Sequence, residues 1–457
     1  MLTRIHSSAF RRSAIVVAAS AGVLLTWTDL HGQTATPLTL GGAARMAAER
    51  SATTAAAKER SAQASARVLQ RRSEFLPSLT STTQFGTRSY NTATMGMEFP
   101  STPGSPSPYD PDGEVVGPVR NFDMRTQITQ RVVDIPAMRR WRASATEADA
   151  AVYGATAAGE NAAQRGAIAY LNVLRAEARI EARSADSALA AELLDIARQQ
   201  LAAGVGIALD VTRAESQLAD ARARLIATRG DRDRNLLQLR RELALSSNAP
   251  LAIADSLEIA AGSEPAIDEE ETVRLALERR ADLRAAMAES EGARRYARAA
   301  SAERLPTLSV YGDHGTNGKE TNNMLRTYSY GVQMSIPVFD GMRTTSRASE
   351  QRARQREAEA NAQDMRRQVE TEVRSAIVSV ASAREEVAAA RARLVLAEQE
   401  VHQARERFRT GVSNNADVIT ASISLNGARD LVIDALTSYQ LAKVELAKAQ
   451  GAMASLQ

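Results

Sequence analysis

Apolar residues recur at every seventh position through most of the last ninety residues. The period stops at a short polar segment after residue 408 and resumes at residue 418, with alanine three residues after most of the apolar positions. A seven-residue period on both sides of a turn predicts two long antiparallel helices, closely packed in a left-handed supercoil. The apolar positions are Val373, Val380, Val387, Leu394, Val401 and Phe408, then Val418, Leu425, Val432, Tyr439 and Leu446.

The first half of the chain repeats this arrangement, which indicates an internal duplication. Residues 201–222 match residues 408–429 at one constant offset, and residues 49–77 match residues 278–306 at another. Each half is predicted to contain helix, strand, loop, strand, very long helix, turn and helix. The row of apolar residues that forms the predicted helix contact, here called the seam, is less regular in the first copy. Arg183 and a serine four residues later interrupt its seven-residue period.

The beginning of the chain and its prolines predict the organisation around these helices. Basic residues, an apolar run and then small residues predict a secretory signal peptide, so the mature chain is expected to leave the cytoplasm.

Proline is absent from residues 137–249 and 338–457, and six prolines fall in a predicted loop at residues 89–121. The predicted segments are a signal peptide (1–34), a first repeat (37–245) with a strand pair (79–131) and a helix hairpin (136–245), a linker (246–268), and a second repeat (269–457) with a strand pair (306–336) and a helix hairpin (341–451).

Alternating apolar and polar residues predict strands on both sides of each loop. The alternation is clear in residues 122–129 and 328–336, and fainter in residues 79–88 and 308–314. Such strands fit a half-buried antiparallel sheet or, in an exported chain, an outer-membrane barrel. About eight strands are the fewest that close a membrane-spanning barrel, so four strands predict that other copies complete it.

Composition excludes several classes of function. The chain has no cysteine, only 4% aromatic residues and a net charge of +3, of which the predicted signal peptide contributes two charges. Disulfides and thiolate metal sites are therefore excluded, and no strong positive field favours nucleic acid. Beyond the signal peptide only His314 and His402 remain, in unrelated elements, and no nucleotide or nucleophile motif occurs. We predict neither enzyme activity nor a metal or other cofactor.

Four motifs, in this order, resemble the TolC family of outer-membrane efflux proteins. They are ADLRAA at residues 281–286, LPTLSV at 305–310, IPVFDG at 336–341, and the turn FxxG at 408–411 followed by Asp-Val. The resemblance covers about residue 37 to the end. It implies an α+β membrane protein, a homotrimer in which each protomer gives four strands to a twelve-stranded β-barrel. A long antiparallel α-helical barrel continues from it across the periplasm.

The resemblance also implies a role for the two helical turns, which share the pattern GVxxxxDV. Asp417 matches acidic residues that line the closed aperture of the family, so three copies would form an acidic ring. Thr420 stands where the family has a second acid, and Ser413 where its best-known member has a locking arginine. Asp210 matches a residue that pairs across the tip, but its partner is absent, so we expect an ordinary charge in a helix first turn. The expected contacts for an adaptor are Gly204, Val205, Gly411 and Val412.

The sequence is compatible with two functions of different class. One is a trimeric outer-membrane channel with a large periplasmic extension, gated at its periplasmic tip, which acts as the passive exit duct of a tripartite efflux or secretion system. Its implied partners are a periplasmic adaptor (membrane fusion protein), an inner-membrane pump and outer-membrane lipid, with no nucleic acid. The alternative is a periplasmic coiled-coil adaptor or scaffold without a channel. The duplicated strand pairs favour the channel, because an adaptor needs one hairpin and no lipid-facing strands.

Overall fold

The structure, a computed structural model, describes residues 37–95, 113–257 and 267–456. The predicted signal peptide, much of the proline-rich loop and part of the linker lie outside these residues. No helix within the described residues is long and apolar enough to cross a membrane. The helices are α1 (Leu40–Arg50), α2 (Ala52–Ser73), α3 (Ile135–Ala202), α4 (Ala208–Glu242), α5 (Glu269–Arg279), α6 (Ala281–Ser301), α7 (Arg343–Arg409) and α8 (Asn415–Ala449), and the strands are β1 (Pro37–Leu38), β2 (Ser78–Asn91), β3 (Val115–Val133), β4 (Ala252–Ile253), β5 (Thr307–Gly318) and β6 (Leu325–Ser335).

Two very long helices, α3 and α7, set the length of the molecule. They contain 68 and 67 residues, and at 1.5 Å per residue each is roughly 100 Å long. At the start of α3 the Asp134 carboxylate accepts a hydrogen bond from the backbone N–H of Ala137, at 2.8 Å. At the start of α7 the Asp340 carboxylate accepts one from the backbone N–H of Thr344, at 2.9 Å. After the first turn of α3 neither helix contains a proline, so their hydrogen-bond ladders continue unbroken.

The two helical hairpins lie side by side in one layer. Helix α3 packs against both α4 and α8, and α8 packs against α7, so the order across the layer is α4, α3, α8, α7. The seam predicted between α7 and α8 is confirmed, because Val387, Val401, Val418 and Leu425 are all buried. Leu394 follows the same period but is only half-buried.

A buried polar cluster lies where the seam of the first repeat is interrupted. Arg183 and Asp186 are 8% and 5% exposed, and they form an ion pair at 3.0 Å. Arg183 also pairs with Asp430, and Asp186 accepts a hydrogen bond from Arg429 at 2.6 Å. Burial raises the pKa of Asp186 above its ordinary value, although both arginines act in the opposite direction. The interruption is therefore an ionic contact between α3 and α8, which joins the two hairpins.

The four long strands form one antiparallel sheet in the order β2, β3, β5, β6. Gln127 pairs with Asp313 on one face, and that face also carries Arg125, which forms an ion pair with Asp313. Strands β2 and β6 each have one edge with no strand partner among the described residues. The opposite face carries a set of exposed apolar side chains: Leu79, Phe85, Met124, Ile128, Tyr328, Tyr330, Val332 and Met334.

A small second layer covers one face of α3. Helix α1 approaches α3 closely at Gly166, where an added Cβ would lie 2.5 Å from the Cβ of Ala47. One turn farther on, the Tyr170 hydroxyl donates to the carbonyl oxygen of Leu38 at 2.8 Å. Strand β1, which contains Leu38, pairs in parallel with β4. These contacts attach β1 and β4 to the middle of α3.

Candidate functional site

The turns at the far end of the two hairpins have the same backbone structure. Helix α3 is followed by Gly204 with φ +77, and α7 by Gly411 with φ +75. These angles are in the left-handed region that ends many helices and favours glycine. The residue after each glycine donates its N–H to the carbonyl oxygen five residues earlier, at 3.0 Å for Val205 and 2.9 Å for Val412. The repeat seen in the sequence is therefore also a repeat of local structure.

The second turn holds Asp417 in a defined position. The side chain of Asn414 caps α8 by accepting a hydrogen bond from the backbone N–H of Asp417, at 3.2 Å. The Ser413 hydroxyl donates to the Asp417 carboxylate at 2.6 Å. Thr420 lies one turn farther along α8 and donates instead to the carbonyl oxygen of Ala416, at 2.9 Å. The structure thus brings Ser413 and Asp417 together, and leaves the Asp417 carboxylate exposed to solvent.

Asp210 occupies the matching place in the first turn but has different surroundings. Helix α4 begins after Ile207, whose side chain forms no capping hydrogen bond. The Asp210 side chain is only 14% exposed and lies 3.8 Å from Arg213 in the same helix. Its Oδ1 atom is buried and has no hydrogen-bond partner among the described residues. Asp210 and Asp417 therefore differ in the solvent exposure of their carboxylates, although they are equivalent in the duplication.

Two side-chain amides that no sequence pattern indicated join the turns. Asn415 is completely buried, and its amide donates to the carbonyl oxygen of Asp210 at 2.9 Å. The Gln200 amide donates to the carbonyl oxygen of Phe408 at 2.7 Å. Both bonds connect the first hairpin with the second. They connect residues more than 200 positions apart, so no local pattern could have revealed them.

A small apolar core lies directly behind the turns. Phe408 and Val418 of the second hairpin pack with Leu194 and Leu218 of the first. Phe408 is only 2% exposed, although it lies three residues from the exposed Gly411. The turns are therefore displayed from a packed base that contains all four long helices of the layer.

The outer surface of the turns is apolar and open. Val205 is 79% exposed and Val412 is 70% exposed, and Ile207 adds a third exposed apolar side chain. An added Cβ at Gly204 or Gly411 would meet no atom within 4 Å. These four predicted contact residues lie at the end of the molecule, where another protein could reach them.

The described residues contain no group of three or more histidine, cysteine or acidic side chains able to hold a metal ion. The polar groups of the turns are hydroxyls, amides and isolated carboxylates. They orient one another, as Ser413 does Asp417, and the exposed carboxylates attract cations.

A family model described as outer membrane efflux protein matches residues 43–244 and 272–452. The outer membrane protein OprJ of Pseudomonas aeruginosa is 28% identical over 266 residues, which cover 55% of this chain and 53% of OprJ. The outer membrane protein TolC of Vibrio cholerae is 24% identical over 296 residues, 63% of this chain and 67% of TolC. The alkaline protease secretion protein AprF of Pseudomonas aeruginosa is 26% identical over 286 residues, 61% of this chain and 59% of AprF. The matches thus span between half and two thirds of these relatives.

Solved structures show the same fold over nearly the whole chain. The outer-membrane channel OprN has a TM-score of 0.76 and 18% identity, covering 90% of this chain and 89% of OprN. The outer membrane protein VceC of Vibrio cholerae has a TM-score of 0.74 and 18% identity, covering 90% of this chain and 96% of VceC. The helical layer, the sheet and the internal repeat therefore belong to a known architecture.

Proposed function

The chain belongs to the outer membrane efflux protein family, whose model matches both of its halves, and from this premise we propose that three copies form the exit duct of a tripartite efflux or secretion system. The chain is located in the outer membrane. In the proposed duct, three sheets close into one barrel and three helical layers continue it into the periplasm. The duct is passive, and the tip turns gate it.

The open sheet is the observation that carries this proposal. Its apolar face is exposed, as lipid-facing strands require, and its opposite face carries charged pairs such as Arg125 with Asp313. The free edges of β2 and β6 cannot stay unpaired in lipid, where each unsatisfied backbone group costs several kcal/mol. Pairing β6 of one copy with β2 of the next satisfies both edges.

The length of the helices supports the periplasmic part of the proposal. At roughly 100 Å, α3 and α7 are about three times as long as the bilayer core is thick. They leave the sheet on one side only, so their turns lie far from the membrane. Val205 and Val412 are exposed there, and we assign these turns to contact with a periplasmic adaptor, which links the duct to an inner-membrane pump.

The gate is assigned to Asp417. Its carboxylate is exposed, and Ser413 fixes its direction. Three such carboxylates around the axis of a closed tip attract cations, and their mutual repulsion makes an open state accessible. The proposal covers both efflux and secretion, because the relatives include a protein named for secretion of alkaline protease.

Purified full-length protein in detergent tests the architecture. We expect a particle of about three times the mass of the mature chain by light scattering, and ion conductance after reconstitution into planar bilayers. A monomer in the soluble periplasmic fraction would instead support the adaptor or scaffold. A trimer that inserts but never conducts would contradict the duct while leaving the assembly intact.

A further inference from the structure

A polar groove of about 650 Å³ lies between α3, α4 and α8, far from the tip turns. It extends along α3 from residue 172 to residue 183, roughly 16 Å at 1.5 Å per residue. At one end the Asn235 amide donates to the carbonyl oxygen of Asn172, at 3.2 Å. Its lining is dominated by arginines, namely Arg175, Arg179, Arg183, Arg224 and Arg234.

Aspartates only partly neutralise these arginines. Arg175 and Arg179 share one carboxylate, that of Asp434, at 2.6 and 2.9 Å. The Nε atom of Arg179 is buried and has no hydrogen-bond partner among the described residues. Arg224 forms no ion pair with any residue that the structure describes.

The remaining ion pairs of the groove leave a positive surplus. Arg234 pairs with Asp231, and Arg183 pairs with Asp430 and Asp186. Asp186 is shared with Arg429, which lies beside the groove. With Arg429 counted, six arginines face four aspartates, so the cluster carries two unneutralised positive charges.

The groove lies in the middle of the helical layer. Its floor is α3, which has α4 on one side and α8 on the other within the same chain. The edges of the layer, where neighbouring copies meet in the proposed trimer, are the outer sides of α4 and α7. The groove is therefore bounded by one protomer.

The arginines lie on the face of α3 opposite to α1. Gly166 and Tyr170 face the second layer that contains α1. Arg175 lies nine residues after Gly166, and Arg179 nine residues after Tyr170. Nine residues correspond to two and a half helical turns, which places them about half a turn away from α1. An extra layer inside a duct would obstruct it, so α1 lies outside and the groove faces the lumen.

We propose that this groove is a binding site for solutes that carry two or more phosphate or carboxylate groups and move through the duct. Guanidinium groups bind such oxygens through pairs of parallel hydrogen bonds. Arg224 offers donors that no aspartate uses, and Arg175 and Arg179 share the single carboxylate of Asp434. A ligand with several anionic groups spans the groove and contacts Arg224 together with this pair, whereas a single small anion contacts only one of the two sides. The inference that the groove faces the lumen rests on the proposed function, whereas the inference that it binds such solutes does not.

Calorimetry with inorganic tripolyphosphate and the purified full-length protein tests the site. We expect saturable binding at low ionic strength that weakens with added salt, because the groove arginines other than Arg183 are at least partly exposed. Arg224→Gln should weaken it about tenfold, the effect of losing one charge-assisted contact. Asp231→Asn should strengthen binding, because it removes the partner of Arg234.

Arg222→Gln is the matched control. It removes the same charge from the same helix two positions away, outside the groove, and should change the affinity less than about twofold. Absence of binding to the wild-type protein, or equal weakening by Arg222→Gln and Arg224→Gln, would overturn the site.

Planar bilayers test the lumenal direction separately. Tripolyphosphate should reduce the conductance of the wild-type channel and reduce that of Arg224→Gln less. Binding that leaves conductance unchanged in an active channel would contradict a lumenal groove. A protein that binds but forms no channel would contradict the proposed function and leave the binding site standing.

Discussion

Asp417 and Asp210 occupy equivalent positions in two copies of one turn, yet only Asp417 presents its carboxylate to solvent. The Ser413 hydroxyl donates a hydrogen bond to the exposed Asp417 carboxylate. The Asp210 side chain is largely covered and lies near Arg213. The other hairpin also packs close to Asp210, since the carbonyl oxygen of Asp210 accepts a hydrogen bond from the Asn415 amide. Equivalent positions in the duplication therefore differ in the exposure of their carboxylates.

Replacing Asp417 with Asn should weaken cation block of the channel. The change keeps the size of the side chain and removes three charges from the proposed ring, so the blocking concentration of a divalent cation should rise about tenfold or more, equivalent to roughly 1.4 kcal/mol. Conductance in planar bilayers, with the cation added on the periplasmic side, measures this.

Asp210→Asn is the control for that measurement and should leave block unchanged. Ser413→Arg should lower the basal conductance, because it places a cation beside the Asp417 carboxylate. If Asp417→Asn leaves block unaltered while Asp210→Asn abolishes it, the aperture acid has been assigned to the wrong turn.

A second single-residue prediction concerns Asp282 at the junction of α5 and α6. Burial alone would raise the pKa of Asp282, but the hydrogen bonds and charge of Arg280 lower it below its ordinary value. A lowered folded-state pKa stabilises the fold above the unfolded pKa of about 3.8, and this contribution is lost as pH falls through the folded pKa. Asp282→Asn should therefore destabilise the fold by about 1–3 kcal/mol at pH 7 and by much less near pH 2.

Thermal unfolding in detergent at both pH values measures this difference. Glu271→Gln is the comparison, because Glu271 pairs with Arg274 on an exposed surface and such pairs contribute little. A deficit in Asp282→Asn that is the same at pH 7 and pH 2 would show that its ionisation is not the cause.

Local patterns predict single residues only where the partner is near in sequence. Asn414 lies directly before α8 and caps it through the N–H of Asp417 three residues later, a contact of the kind that a local pattern can indicate. The bonds of Asn415 and Gln200 connect the two hairpins and depend on how they pack. Arg183 could be recognised as an interruption of the period, but Asp430 lies 247 residues away.

Among the elements, the α7–α8 hairpin is the one that its sequence specifies most strongly. Its small residues lie in the contact between the two helices, and larger side chains such as Val387 alternate with them. The first hairpin is less regular, because part of its contact with α8 is ionic. The seven-residue period therefore predicted both hairpins, and it could not show which helices of the two hairpins touch.

Val387→Asp should prevent assembly of the helical layer. Val387 is 3% exposed, so the substitution buries an unpaired charge, at a cost of about 3–5 kcal/mol. Arg391→Asp changes an exposed position on the same helix and should be tolerated. The yield of trimer in detergent measures both, and similar losses in the two variants would mean that the seam has been placed on the wrong face of α7.

For the whole molecule, alternation predicts the four long strands, and the described residues contain all four; the two short strands β1 and β4 were not predicted. The order β2, β3, β5, β6 could not be predicted from pattern alone, because β3 and β5 are joined across the long hairpin of the first repeat. The alternation excludes a register shift by one residue, which would bring polar side chains onto the apolar face, but it does not distinguish registers that differ by two.

Val332→Arg should hinder insertion into the membrane. Val332 lies on the apolar face and is 67% exposed, and arginine on a lipid face costs about 2–4 kcal/mol near the bilayer centre. Gln333→Arg places the same side chain on the opposite face one residue later and should insert normally. Outer-membrane fractionation distinguishes the two, and equal insertion would show that the faces have been assigned in reverse.

The pairing of β3 with β5 has a consequence for the ancestry of the molecule. It joins the two repeats inside one chain in the manner in which β6 and β2 would join two chains, so the proposed trimer contains six similar units, each with two strands and one helical hairpin. A half-length ancestor could have built the same ring from six identical copies. Fusion of two such copies then allows each half to diverge, which identical subunits cannot do. The arginines of α3 face a groove in the first half, whereas the matching positions of α7 are Ser382, Glu386 and Ala390.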